Sequence, residues 1–260
     1  MSEHKPEKDP FEEKKRIYFS KLAMRMRGML RLHKSEGLWD RVIKDGKPKR
    51  DWGNVSEHCL VEAARAEVFG ELLGFPDDLR NDLTKAAALH DFFKKREREI
   101  ARAAKTGGND VVGSYSDAEK KAVSEMQGAG VDSRIIRLAD SVGGTDEPMR
   151  ETKRILDKEG ELSEDDIAFL IMHYIDDYTI DSRWVSPIGE DSKNDLDRRI
   201  ANNRIRYPEM PEALDEQERV GHLIENRLSA ILATRGTSVE PLKIPEFIDD
   251  RIRERITASK

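Results

Sequence analysis

The chain has 260 residues, of which 37% are hydrophobic and 38% charged, so it holds enough apolar material for one sizeable domain with an appendage. Its net charge of -6 gives no support for a non-specific nucleic-acid binder, which relies on a basic surface that releases counterions. Its one cysteine, Cys59, rules out an intrachain disulfide, and no run approaches the ~20 apolar residues of a membrane helix. The start of the chain is mostly charged and does not resemble a signal peptide, so a soluble, cytoplasmic protein is expected.

Residues 1–15 have little to bury and are expected to be disordered. From Ile17, apolar residues recur at helical spacing through Phe19, Leu22, Ala23, Met26 and Leu30. Residues 37–53 read as a loop that carries Trp39 and Trp52. Asn54-Val-Ser-Glu57 reads as a helix N-cap with an acid three residues on, and that helix stops at Gly74. A second helix is predicted over residues 76–95 or further. Gly107, Gly108 and Gly113 mark a loop, and Ser116-x-x-Glu119 opens another helix. Gly128 and Gly130 break it, and residues 131–142 resume it. Ser163-x-x-Asp166 caps a strongly apolar helix over residues 167–178. Residues 180–211 read as a long polar segment, followed by helices near 214–234 and 245–256. With no alternating strand pattern and no repeat, the expected class is all-α.

Histidine is scarce, with six in the chain, which makes His90-Asp91 conspicuous. Residues 3, 4 and 7 positions before His90 are Ala87, Ala86 and Leu83, so it lies on an apolar face. A buried His beside a buried Asp costs several kcal/mol unless paired or bound to a metal. His58 falls near the start of the preceding helix, and an antiparallel pair of helices brings it beside His90 and Asp91. Asp176 ends an apolar stripe that runs through Phe169 and Met172. Two imidazoles and two carboxylates suit Mn, Fe, Co, Ni or Zn. The bland alternative is a hydrogen-bonded core network. Asp177 and Asp140 are rivals for the last position. Lys94, one turn after His90, is either a phosphate contact or a snorkelling surface lysine. Arg198, Arg199, Arg204 and Arg206 read as a solvated helix face, with a phosphate clamp as the alternative, and His173 as a core histidine or one that supports a ligand from behind.

Taken together, Glu57-His58, His90-Asp91 and Asp176 resemble the H…HD…D signature of the HD-domain phosphohydrolases. The segment Asn54-Val-Ser-Glu-His58 is similar to the one around the first ligand in bacterial HD-domain 5′-nucleotidases. Asp91-Phe-Phe-Lys94 is similar to the HD-x-x-K variant of other branches, whereas the nucleotidase branch has Glu where this chain has Lys94. The stretch from Gly130 to Gly143 resembles the middle segment of HD hydrolases that cleave dinucleoside polyphosphates, with Asp140 where that branch has His. Asp176 and Arg183 fit its later pair. The likeness spans residues 15–185.

The resemblance implies an HD-domain helical bundle over residues 16–185, with a polar linker and C-terminal helices over 186–260 packed on or beside it. It implies His58, His90, Asp91 and Asp176 as ligands of one divalent ion (Mn, Co, Fe, Ni, Zn or Mg) rather than two. The implied activity is hydrolysis of a phosphate ester or anhydride in a nucleotide or related small molecule. Lys94, Asp140 and Glu57 would be catalytic, and Arg183, Trp39 and Trp52 would contact substrate. The alternative is a catalytically silent HD module that serves as a nucleotide sensor or scaffold. A diiron oxygenase on the same fold is disfavoured, because His173 is the only histidine between Asp91 and Asp176. Neither a membrane nor a nucleic acid is expected as a partner, and a homodimer is left open.

Overall fold

A helix in water is marginal unless a partner covers its apolar face, so the helices of this chain are best followed through what they bury. The computed structural model describes residues 10–44, 47–50, 52–108, 111–142, 146–180, 193–208 and 210–259. Among these are twelve α-helices and one two-stranded antiparallel sheet, an all-α fold. Among the described residues no helix is long and apolar enough to cross a membrane.

Helices α1 (Pro10–Arg25) and α2 (Arg27–Ser35) bury Leu22, Met26 and Leu30, the stripe predicted from their spacing. Helix α1 starts before that stripe, so residues 10–15 are helical rather than disordered. Phe11 packs on the core and the Lys14 ammonium donates to the Thr257 carbonyl at 2.6 Å, which gives this turn a reason to fold. Strands β1 (Arg41–Lys44) and β2 (Lys47–Arg50) replace the expected loop and pair Arg41 with Arg50 and Lys44 with Lys47. Four-residue strands without apolar alternation carry no periodic signal.

Helices α3 (Gly53–Leu72) and α4 (Asp77–Leu89) form an antiparallel hairpin at the centre. Its turn is a Schellman motif: Phe75 N–H donates to the Gly70 carbonyl at 2.9 Å and Gly74 N–H to Glu71 at 3.0 Å, with Gly74 at φ +66°. Small side chains at Ala63, Ala66, Ala86 and Ala87, all fully buried, line this part of the core. The predicted cap residue Asn54 lies inside the first turn of α3, whose N-cap is Trp52, with no side-chain capping bond. The second helix also ends earlier than expected. It stops at Leu89, a turn holds residues 90–93, and α5 (Lys94–Thr106) starts afresh.

Helix α6 (Val111–Gly128) begins ahead of the predicted Ser116 opening. Asp132 caps α7 (Ser133–Ala139), which runs into a 3-10 turn over Asp140–Val142, and α8 (Asp146–Leu156) follows. Ser163 caps α9 (Glu164–Tyr178) as predicted, with its Oγ accepting from Asp166 N–H at 3.2 Å. Ala168 and residues 170–172, 174 and 175 are fully enclosed, so the middle of α9 is buried on every side.

The predicted polar segment contains α10 (Asp195–Arg206), which opens on an Asn194/Asp197 capping box. Helices α11 (Pro211–Thr234) and α12 (Ile244–Ala258) complete the chain. They share one core with the rest: Leu228, Leu232, Ile248 and Ile252 are fully buried in the same cluster as Phe69 and Tyr174. Helix α12 is also fastened to α3 by a buried ion pair, in which Arg65 Nε and a terminal nitrogen donate to the two Asp249 oxygens at 2.8 and 2.9 Å.

Candidate metal centre

The antiparallel α3/α4 hairpin sets the start of α3 against the end of α4. His58 lies in the second turn of α3 and His90 directly after α4, with ring centroids 5.5 Å apart. Between them stands Glu62, one turn after His58 and fully buried. Its two oxygens lie 3.0 Å from His58 Nε2 and 3.2 Å from His90 Nε2. Asp176, near the end of α9, brings Oδ1 to 3.6 Å from His58 Nε2 and 3.8 Å from His90 Nε2. Asp91 Oδ2 is 3.9 Å from both nitrogens. His58, Glu62, His90 and Asp176 could hold a metal ion, each offering one ligand atom within 4.8 Å of the others.

Proton placement favours a cation. His90 Nδ1 is 2.9 Å from the Ala87 carbonyl, which can only accept, so Nδ1 carries the proton. Nε2 is then the nitrogen left to face the Glu62 and Asp176 carboxylates, and it is the atom that an ion between them would take. Neither Glu62 oxygen nor His90 Nε2 has a hydrogen-bond partner despite these short distances. Buried polar atoms are seldom left so. A mixed set of imidazole nitrogens and carboxylate oxygens suits a divalent ion and satisfies all three atoms together.

The carboxylates around the two histidines also govern how the cluster titrates in the absence of an ion. Burial disfavours a charged His58, but the negative charges of Glu62, Asp176 and Asp91 outweigh it and raise its pKa well above the usual value. Burial works against the Asp91 anion too, yet Lys94, His90 and His58 pull its pKa down to about 2. Asp176 lies well below the ordinary carboxylate range, because Arg199 and the two histidines overcome its burial. Both carboxylates are therefore anions at neutral pH.

A hydrogen-bond chain braces the two histidine-bearing segments. The Trp39 indole N–H donates to Ser56 Oγ at 2.8 Å, Ser56 Oγ lies 3.1 Å from His33 Nδ1, and His33 Nε2 lies 2.9 Å from the Ala88 carbonyl. Because the carbonyl must accept, Nε2 holds the His33 proton and the Ser56 hydroxyl donates to Nδ1. Burial dominates at His33 and lowers its pKa to about 4, so it is neutral. Ser56 and Ala88 each precede a histidine of the centre by two residues, which gives the otherwise unremarked His33 a bracing role.

The other predicted residues fall in different places. Lys94 Nζ is 3.4 Å from Asp91 Oδ1 and 3.5 Å from Glu97 Oε2. Trp39 is 37% exposed, while Trp52 packs on Leu38, Val55 and Cys59. Glu57 and Asp140 are exposed and stand outside the group of four. Asp177 is buried but faces away, with one oxygen accepting from Gln217 at 2.6 Å and the other 3.5 Å from His173 Nε2. Arg183 lies outside the described residues.

The sequence reading missed two residues. Glu62 had a usable signal: a lone acid in Leu60-Val61-Glu62-Ala63-Ala64, one turn after His58. Arg199 had none, and it is not on a solvated face, since it contacts Asp176. Its neighbours Arg198 and Arg204 do pair locally, with Asp195 and with Asp215 and Glu218. Asp197, Glu218 and His222 also lie close enough to hold an ion. There, however, His222 is already paired on both sides, 3.1 Å from Asp197 and 2.7 Å from Glu225, and Arg204 covers Glu218. No protein-family model matches the chain, and neither a curated protein nor a solved structure matches it.

Proposed function

We propose that the chain is a metal-dependent phosphohydrolase of the HD-domain type, acting on a nucleotide or a related small phosphorylated molecule. The observation that carries this reading is the cluster of two imidazoles and three carboxylates from α3, the α4–α5 turn and α9, whose nitrogen and oxygen atoms converge within 3.0–3.9 Å. The H…HD…D resemblance supports the reaction class. His58, His90, Asp176 and the flanking Glu62 and Asp91 would hold one divalent ion, which in such sites lowers the pKa of water and polarises a phosphoryl oxygen. Lys94 is partly exposed beside Asp91 and carries a charge strengthened by that carboxylate, so its ammonium can bind a non-bridging phosphoryl oxygen. The Ser56 bond fixes the Trp39 ring, whose exposed part is a surface for a nucleobase.

A screen of chelator-treated protein tests this, with Mn, Co, Fe, Ni, Zn or Mg restored in turn. Nucleoside monophosphates, cyclic nucleotides and dinucleoside polyphosphates serve as substrates. Metal-dependent turnover of at least one is expected, abolished in His90→Ala and reduced in Lys94→Met. Metal binding without turnover of any of them would overturn the enzymatic reading. Nucleotide binding without turnover would favour the sensor alternative.

A further inference from the structure

The family likeness ends near residue 185, yet the chain beyond it reaches the metal centre through one side chain. Arg199, on α10, sends one terminal nitrogen to the carbonyls of Asp176 and Thr179, the latter at 2.5 Å. Its other terminal nitrogen is 3.4 Å from Asp176 Oδ1. Those carbonyls belong to the C-terminal end of α9, where helix geometry leaves oxygens without intrahelical donors and the helix dipole favours a cation. The guanidinium therefore meets the end of the helix and the Asp176 carboxylate together. Asp176 Oδ1 is also the oxygen that this carboxylate turns toward both imidazoles, at 3.6 and 3.8 Å. Holding that oxygen fixes the direction in which the carboxylate is aimed.

Helix α10 is itself firmly mounted. Asn194, its cap residue, donates through Nδ2 to Glu225 Oε1 on α11 at 2.6 Å, and the Tyr174 hydroxyl of α9 donates to the same oxygen at 2.8 Å. His222 bridges Glu225 and Asp197. Gly221 lets Leu196 approach so closely that an added Cβ would fall 2.9 Å from it. These contacts join α9, α10 and α11 over the stretch that carries Arg199.

We propose that Arg199 is a positioning residue of the metal centre, and that α10 and α11 are its mounting rather than a separate appendage. It acts through Asp176, holding the carboxylate aimed at His58 and His90. Groups of this kind behind a metal ligand typically set affinity by ~10- to 100-fold when removed. The proposal rests on the metal-centre reading above.

The test is calorimetric titration of Co(II) into chelator-treated wild type, Arg199→Met, Arg199→Gln, Arg199→Lys and Arg198→Met, with the visible spectrum of bound cobalt recorded for each. Arg199→Met and Arg199→Gln are expected to bind about 10- to 100-fold more weakly, with an altered spectrum. Arg199→Lys, which keeps the charge but loses the paired carbonyl contacts, is expected to fall between them and wild type. Arg198→Met is expected to match wild type. Wild-type affinity and spectrum in Arg199→Met would overturn the proposal while leaving the metal centre standing. Should Arg199→Met fail to fold, Arg199→Gln decides by the same criterion. Failure of the wild type to bind Co(II) would overturn the metal-centre reading, and the proposal with it.

Discussion

Helix α3 carries two buried charged residues one turn apart, and their surroundings differ. Arg65 is fully enclosed and fully engaged, with two bonds to Asp249, one to Thr179 Oγ1 at 2.6 Å, and the Tyr178 ring 4.7 Å from its guanidinium carbon. Glu62 is equally enclosed, yet neither of its oxygens has a hydrogen-bond partner. Folding alone accounts for the first arrangement, since each charge meets its complement. In the second, three carboxylates converge on two imidazoles, a set that could hold a metal ion. The contrast separates a buried ionic group that holds helices together from one that could hold an ion.

Breaking the satisfied cluster should have the largest effect. Asp249→Ala leaves Arg65 buried without a counter-ion and is expected to cost about 3–5 kcal/mol, read from urea unfolding. Metal stoichiometry of the folded fraction should not change. Unaltered stability would mean that α12 is not fastened as described.

The next effect is a pH dependence at His33, another satisfied group. Its folded pKa, about 4, lies below the usual value of 6.5, so the unfolded chain takes up the proton first. The stability it contributes is complete above pH 6.5 and is lost as pH falls toward 4, by about 3 kcal/mol. His33→Gln should flatten the unfolding profile across that window, and an unchanged slope would assign the acid sensitivity elsewhere.

At the unsatisfied cluster the effects appear only with metal. A hundredfold excess of ion over Kd stabilises the folded chain by about 2.7 kcal/mol. Glu62→Gln should lose part of this increment, measured as the shift in thermal midpoint on adding Co(II). A full increment in that variant would remove Glu62 from the ligand set. Smallest of all is Asp177→Asn. Asp177 faces Gln217 and His173 rather than the centre, so cobalt affinity should match wild type. Asp176→Asn should not match it.

The sequence made part of this arrangement legible. His58, His90 and Asp176 stand on or at the ends of apolar stripes, where a polar side chain is conspicuous. The Ser163 cap and the Gly74 stop also follow local rules. The break at Leu89 does not, because no Gly or Pro marks the turn over residues 90–93. Arg65 and Asp249 are 184 residues apart, and Arg199 and Asp176 are 23 apart across different helices, so neither pair has a local pattern. Helix α10 was hidden by its polar composition, although Asn194 and Asp197 have the spacing of a capping box.

The most direct measurement is metal stoichiometry by elemental analysis and Co(II) titration of chelator-treated wild type and His90→Ala. One ion per chain in the wild type, lost in His90→Ala with helix content retained, is the expected result. A folded wild type that takes up no divalent ion, or a His90→Ala chain that binds as tightly, would contradict the claim that the unsatisfied end of α3 is a metal centre.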